Sequence, residues 1–346
     1  MSARRRPARS GNPAVVASAG QAPHDRTPRR ASLVERFAIE KVPVGVDYPH
    51  VLRTPGASRV MAAVGVLLGV ATFMLAAPMV SQALAAGYWL AVGRPGEFSA
   101  TYRSLTAYEV PFGLVVGHVG LMTLIPISCA LVLCVHRVRP GYLSSVAGRL
   151  RWRWLGLTTA IGFASLWLVL ATQNVLAPDG ANWTVAPQQG AWAFIVVMLL
   201  TTPLQAAAEE YFFRGYLMQS LGSLVTSPWF GIVASAAVFT VFHQSTNLAL
   251  VVDRFAFGVL AGWLVVRTGG LEASIGAHVA NNVTSFGLAA LTSSVAEVKA
   301  ITEVTWVIAA WDVGRFALFA ALIWLLARAY RPQRRTGPAT RVAGSV

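Results

Sequence analysis

The chain has 346 residues, of which 55% are hydrophobic and 12% charged. A soluble domain carries about a quarter charged residues and a disordered one has low hydrophobicity, so both classes are excluded. The net charge of +14 is almost wholly arginine, Lys41 and Lys299 being the two lysines. These arginines gather at the chain ends and between apolar stretches, a distribution that suits positive-inside topology and anionic lipid. No recognition motif accompanies the charge, so nucleic acid is not an expected partner. The composition predicts an all-α, polytopic transmembrane helix bundle.

Residues 1–56 are rich in Arg, Pro, Ala and Ser and lack a sustained apolar period, which predicts a disordered basic tail. The first apolar run begins near Val60, too far from the start for a secretory signal, so it reads as an uncleaved span. About eight spans follow, near 60–88, 112–135, 154–177, 191–219, 229–250, 254–268, 271–293 and 305–328, each close to the roughly 20 residues that cross a bilayer. They divide the chain into N-terminal transmembrane helices (57–178), a second transmembrane group (190–293), a last helix (305–328) and a basic tail (329–346).

Loop charge orients the spans. The N-terminal tail holds seven arginines in its first thirty residues, the loop after the second span holds Arg137, Arg139, Arg149, Arg151 and Arg153, and the C-terminal tail holds Arg331, Arg334, Arg335 and Arg341. The stretch 178–190 has no Lys or Arg and 294–304 has only Lys299. Both termini are therefore expected in the cytoplasm, with an even number of spans, in a bacterial cell membrane. The pairs Gly65/Gly69, Gly113/Gly117 and Gly258/Gly262 have the small-xxx-small spacing of closely packed helices. Cys129 and Cys134, five apart on one helix, are beyond disulfide reach and read as buried free thiols.

Ionisable side chains inside a bilayer are expensive and mark function. Three clusters stand out in the C-terminal half. Glu209 and Glu210 point about 100° apart on a helix, so one partner cannot serve both. Glu210 and Arg214 stand four apart with the acid first, the favourable pairing order, which leaves Glu209 without a local partner. Phe239 and His243 share a face in the fifth span, and His278 and Asn282 share one in the seventh, with Asn281 turned aside. Each group alone also suits a helix-end ion pair, an interfacial histidine or interhelical hydrogen bonds. Together they supply a carboxylate base, two imidazoles and an amide, the parts needed to hydrolyse an amide bond. There is no GxSxG elbow and no HExxH helix. Asp312 and Arg315 are placed to pair, Glu272 sits at a helix N-terminus, and His118 reads as structural.

In this order and on late spans, Glu209-Glu210-xxx-Arg214, Phe239-xxx-His243 and His278-xxx-Asn282 resemble the EExxxR, FxxxH and HxxxN pattern of the CAAX protease and bacteriocin-processing family of intramembrane proteases. The continuation Arg214-Gly215-Tyr216-Leu217 is also similar, and the likeness covers about residues 190–293. The resemblance implies an endopeptidase acting at or within the membrane on a peptide or membrane protein. It implies Glu209 as the base that activates water, assisted by His243, with His278 and Asn282 holding the oxyanion and with Glu210, Arg214 and Phe239 in support. No cofactor is expected; were zinc bound, the same resemblance would assign it to Glu209, His243 and His278. Two other readings rank below the protease: a non-catalytic membrane scaffold or immunity protein, then a proton-coupled transporter, which usually shows an internal repeat that is lacking here. On the expected spans, Glu209 and His278 lie towards the cytoplasm and His243 lies deeper.

Overall fold

The computed structural model describes residues 39–176 and 184–338. Residues 1–38 of the expected tail, residues 178–183 of the 178–190 loop and Arg341 fall outside the described residues. Among those described, the structure is helical, with two isolated bridges and no strand. The helices are α1 (Arg59–Ala91), α2 (Phe98–Thr106), α3 (Pro111–Met122), α4 (Leu124–Cys134), α5 (Trp152–Leu176), α6 (Ala191–Glu210), α7 (Met218–Gly222), α8 (Pro228–Phe242), α9 (Leu248–Thr268), α10 (Glu272–Thr292), α11 (Val295–Lys299) and α12 (Trp306–Tyr330). Between α6 and α7 the chain continues without a break as a π-helical stretch, Tyr211–Leu217.

Six segments are long and apolar enough to cross a membrane: α1, α3 with α4, α5, α6 through α7, α9 and α12. The other two expected spans exist as helices of a different kind. At 15 residues, α8 is short, and α10 is 21 residues long but carries Glu272, His278, Asn281 and Asn282. The fifth span was expected to reach residue 250; it ends at Phe242 instead, and the loop 243–247 separates it from α9, which starts at Leu248. Asn247 supplies the physical reason, since its side chain accepts the Leu250 amide and caps the new helix.

The outward faces are apolar. Leu67, Leu75, Met79, Leu168 and Leu200 are all exposed, a surface suited to lipid and not to water. Four of the five exposed tryptophans among the described residues mark helix ends, with Trp152 opening α5, Trp192 in the first turn of α6, Trp229 in that of α8 and Trp306 opening α12; the fifth, Trp167, lies midway along α5. Amphipathic rings at that depth are what a membrane interface favours. The chain is an integral membrane protein on these grounds.

The arginine-rich loops meet at one end of the bundle. There Arg151 grips the fully buried carboxylate of Glu272 with Nε at 2.8 Å and Nη2 at 2.6 Å, and its own backbone amide adds a third bond. Its Nη1 donates to the carbonyls of Thr268 and Gln333. One guanidinium thus ties the ends of α5, α9, α10 and α12. Residues 39–56, expected to continue a disordered tail, fold onto this end. Gly45 and Val46 exchange backbone bonds with Thr336, Arg137 pairs with Glu40 at 2.7 Å, and Tyr48, Val51 and Leu52 are buried. Burial of those three apolar side chains outweighs the local Pro and Gly. Nearby, burial pushes the His136 imidazole down to about 4, so it packs as a neutral ring on Tyr216. Neither cysteine is deeply buried as expected: Cys129 is half-buried and Cys134 exposed, both as free thiols.

Helix α10 lies inside the bundle, packed chiefly on α5 and α6; α8 packs on α9, which packs on α12. The glycine pairs make these approaches possible. A Cβ on Gly258 would stand 2.7 Å from the Cβ of Ala236 on α8, and one on Gly262 would stand 3.1 Å from Ile232. Gly156, on α5, has open space around it. Gly258→Val should therefore lower stability by about 1–3 kcal/mol through forced separation of α8 and α9. Gly156→Ala should be neutral or slightly stabilising. Thermal unfolding in detergent micelles distinguishes the two.

Candidate active site

The end of α6 builds the site. Glu210 is fully buried, and its Oε1 accepts from Arg214 Nη1 at 2.9 Å and from His278 Nδ1 at 2.8 Å. The pairing expected between Glu210 and Arg214 is present, and it persists into the π-helical turn. The rest of the Arg214 guanidinium makes no hydrogen bond; Nε and Nη2 are buried without a partner. Its plane lies over two aromatic faces instead, 4.1 Å from the Phe239 ring centre and 5.1 Å from that of Phe257. Gly258 lies beside it, where a Cβ would stand 3.5 Å from Nη2, an ordinary contact.

Glu209, one residue earlier, faces a different direction. Its Oε1 accepts from Gln205 Nε2 at 2.5 Å, and Oε2 stands 3.8 Å from His278 Nε2. It lines a cavity of about 480 Å3 together with His243, Phe213, Phe242, Arg254 and Lys299. His243 is not inside a helix but directly after α8, where its Nδ1 donates to the Phe239 carbonyl at 2.8 Å. That bond fixes the tautomer and leaves the Nε2 lone pair free. The next residue, Gln244, has the left-handed φ of 50°, a backbone state that turns the loop 243–247 across the cavity wall.

The cavity is walled by Lys299, Ile301 and Thr302 at the C-terminal side of α10, whereas Arg151 and Glu272 hold its N-terminal side. The cavity lining thus includes the segment just after α10, at the end of that helix away from the arginine-rich loops.

The seven residues singled out in the sequence are brought together: Glu209, Glu210 and Arg214 from α6 and the π turn, Phe239 from α8 and His243 from the loop just after it, His278 and Asn282 from α10. The rings of Phe239 and His243 are 4.3 Å apart, and those of Phe257 and His278 are 5.3 Å apart. Asn282 does not touch Glu209 directly. Its Nδ2 donates to Gln205 Oε1 at 3.2 Å. Sequence reasoning missed Gln205, although its place four residues before Glu209 on one helix face was a usable signal. It missed Phe257 and Arg254 too, which reach the site only because α9 packs on α8.

The imidazoles of His243 and His278 both keep Nε2 unbonded by another donor or acceptor within 3.5 Å, as zinc-binding histidines do. Yet among the described residues no three His, Cys, Asp or Glu side chains converge as a group able to hold a metal ion. Glu209, His243 and His278 do not converge as a zinc-holding set in this arrangement.

Residues 190–284 match the family model described as type II CAAX prenyl endopeptidase Rce1-like. All three motifs lie inside that segment, so the resemblance they carry stands. The chain is also similar to the uncharacterized protein YyaK of Bacillus subtilis, 28% identical over 141 residues, which are 39% of this chain. The chain spans about half of that relative's length, 47%. No solved structure matches it.

Because Arg214 and Glu210 neutralise one another in an apolar interior, removing one should cost more than removing both. Arg214→Leu alone is expected to destabilise by about 3–5 kcal/mol. Adding Glu210→Gln should recover part of that loss, and unfolding of the single and double variants in detergent measures it.

Proposed function

We propose that the protein is an intramembrane endopeptidase in which Glu209 activates a water molecule. The observation that carries this reading is the shared cavity of Glu209 and His243, a carboxylate beside an imidazole whose Nε2 lone pair is free. Water held between them loses a proton to Glu209 as its oxygen adds to the peptide carbonyl carbon. The carbonyl oxygen becomes an oxyanion. The second Nδ2–H of Asn282 and the His278 ring, which Glu210 anchors through Nδ1, are the groups that hold it. Glu209 then returns its proton to the leaving nitrogen as the C–N bond breaks. A buried carboxylate held by one amide and an ion cluster that closes the interior behind it suit this chemistry at membrane depth.

The substrate class follows from the surroundings: a peptide or membrane protein reaching the cavity from the lipid or from the end near Lys299. In this reading both termini face the cytoplasm of a bacterial cell, supported by the convergence of the arginine-rich segments on one end. In a cysteine-free background, an impermeant thiol reagent added to intact cells should label Glu303→Cys and spare Arg334→Cys. The reverse pattern would invert the topology.

Purified wild-type protein in liposomes should cleave members of a library of small membrane and secreted peptides, read by mass spectrometry. Glu209→Gln should lower the rate about 100-fold or more. A zinc chelator in the same assay should leave the rate unchanged. Undiminished cleavage by the variant would remove Glu209 from the reaction.

A further inference from the structure

A continuous run of side-chain hydrogen bonds leads away from Glu209 to the last helix. Gln205 Nε2 donates to Glu209 at 2.5 Å, Asn282 Nδ2 donates to Gln205 Oε1 at 3.2 Å, and Asn281 Nδ2 donates to Asn282 Oδ1 at 3.0 Å. Arg315 Nη2 on α12 donates to Asn281 Oδ1 at 2.9 Å, and its Nη1 meets Asp312 at 3.2 Å. Three amides thus stand between one guanidinium and one carboxylate.

The polarity of this run is dictated from both ends. A guanidinium only donates, so Asn281 must turn its oxygen to Arg315 and its NH2 to Asn282. Asn282 must then offer NH2 to Gln205, and Gln205 must offer NH2 to Glu209. A carboxylate only accepts, so Glu209 demands the same orientation. Amide side chains can otherwise sit either way round, and a half-turn of any one would set donor against donor. The charged groups facing Arg315 are Asp312 on its own helix and Asp253 on α9, whose Oδ1 is buried without a partner. Neither carboxylate can replace a donor.

We propose that Arg315 is a positioning residue for Glu209, acting through Asn281, Asn282 and Gln205 so that Glu209 is held as an acceptor and Asn282 keeps one N–H for the substrate. Its catalytic consequence rests on Glu209 being the base. Arg315 lies outside the segment 190–284 that matches the family model, so the last helix completes a site whose named motifs all lie earlier.

The test uses the full chain in detergent, with dicyclohexylcarbodiimide, which attacks protonated carboxyls in apolar surroundings, as the probe of Glu209. Arg315→Gln can both donate and accept, so it no longer fixes the run. Labelling of Glu209, read on its peptide by mass spectrometry, should rise about tenfold and kcat should fall about tenfold with KM unchanged, the weight of one hydrogen bond to a charged group. Arg315→Lys, a donor-only cation, should restore both. Labelling and kcat equal to wild type in Arg315→Gln would overturn the proposal, as would failure of Lys to restore them. An equal rise at Glu210 would mean general loosening and would overturn it too. If Glu209→Gln still cleaves, the proteolytic reading fails, while the labelling alone still decides whether Arg315 holds Glu209.

Discussion

The Oε1 atom of Glu210 is the point on which the C-terminal half of the bundle depends. Arg214 and His278 both donate to it, and the face of Arg214 lies on Phe239 and Phe257. Four helical elements, α6 with its π turn, α8, α9 and α10, are therefore tied through one carboxylate. In an apolar interior that charge cannot be left alone, because the desolvation of an unpaired ion is worth several kcal/mol. The helices must come together at the spacing that pairs it. Once they do, Glu209, one residue back, is turned about 100° away and meets the cavity.

A second clasp works at the arginine-rich end. Glu272 is fully buried and Arg151 satisfies both its oxygens while reaching two backbone carbonyls. Between the two clasps α10 is held along its first third, from Glu272 to His278. The short α8 completes the arrangement. It stops at Phe242, and the loop that follows, His243 to Thr246, lines the cavity that Glu209 shares.

The helical class, the resemblance and the seven site residues were legible in the chain because each rests on local pattern. Apolar runs near 20 residues long, Glu210 and Arg214 four apart, and His278 and Asn282 four apart are all properties of one helix at a time. The end of α8 did leave a mark in the chain, the polar run His243-Gln244-Ser245-Thr246-Asn247 whose last residue caps the next helix, but the expected span ran through it to residue 250 because apolar residues resume at Leu248. The fate of residues 39–56 was hidden for a different reason: their apolar side chains are few, and their partners, such as Leu143 and Thr336, lie about 95 and 290 residues away in sequence.

What the sequence by itself determined is the membrane, the helices and the cost of placing Glu209, Glu210, Arg214, His243 and His278 within them. These follow from composition and from spacing along single helices. What only the tertiary structure decided is partnership. It chose His278 as the second donor to Glu210, Arg151 as the guard of Glu272, and Arg315 as the far end of the run from Glu209. Each of those pairs joins side chains from different helices. No periodicity along one helix records which face of another it will meet, so only packing could settle them.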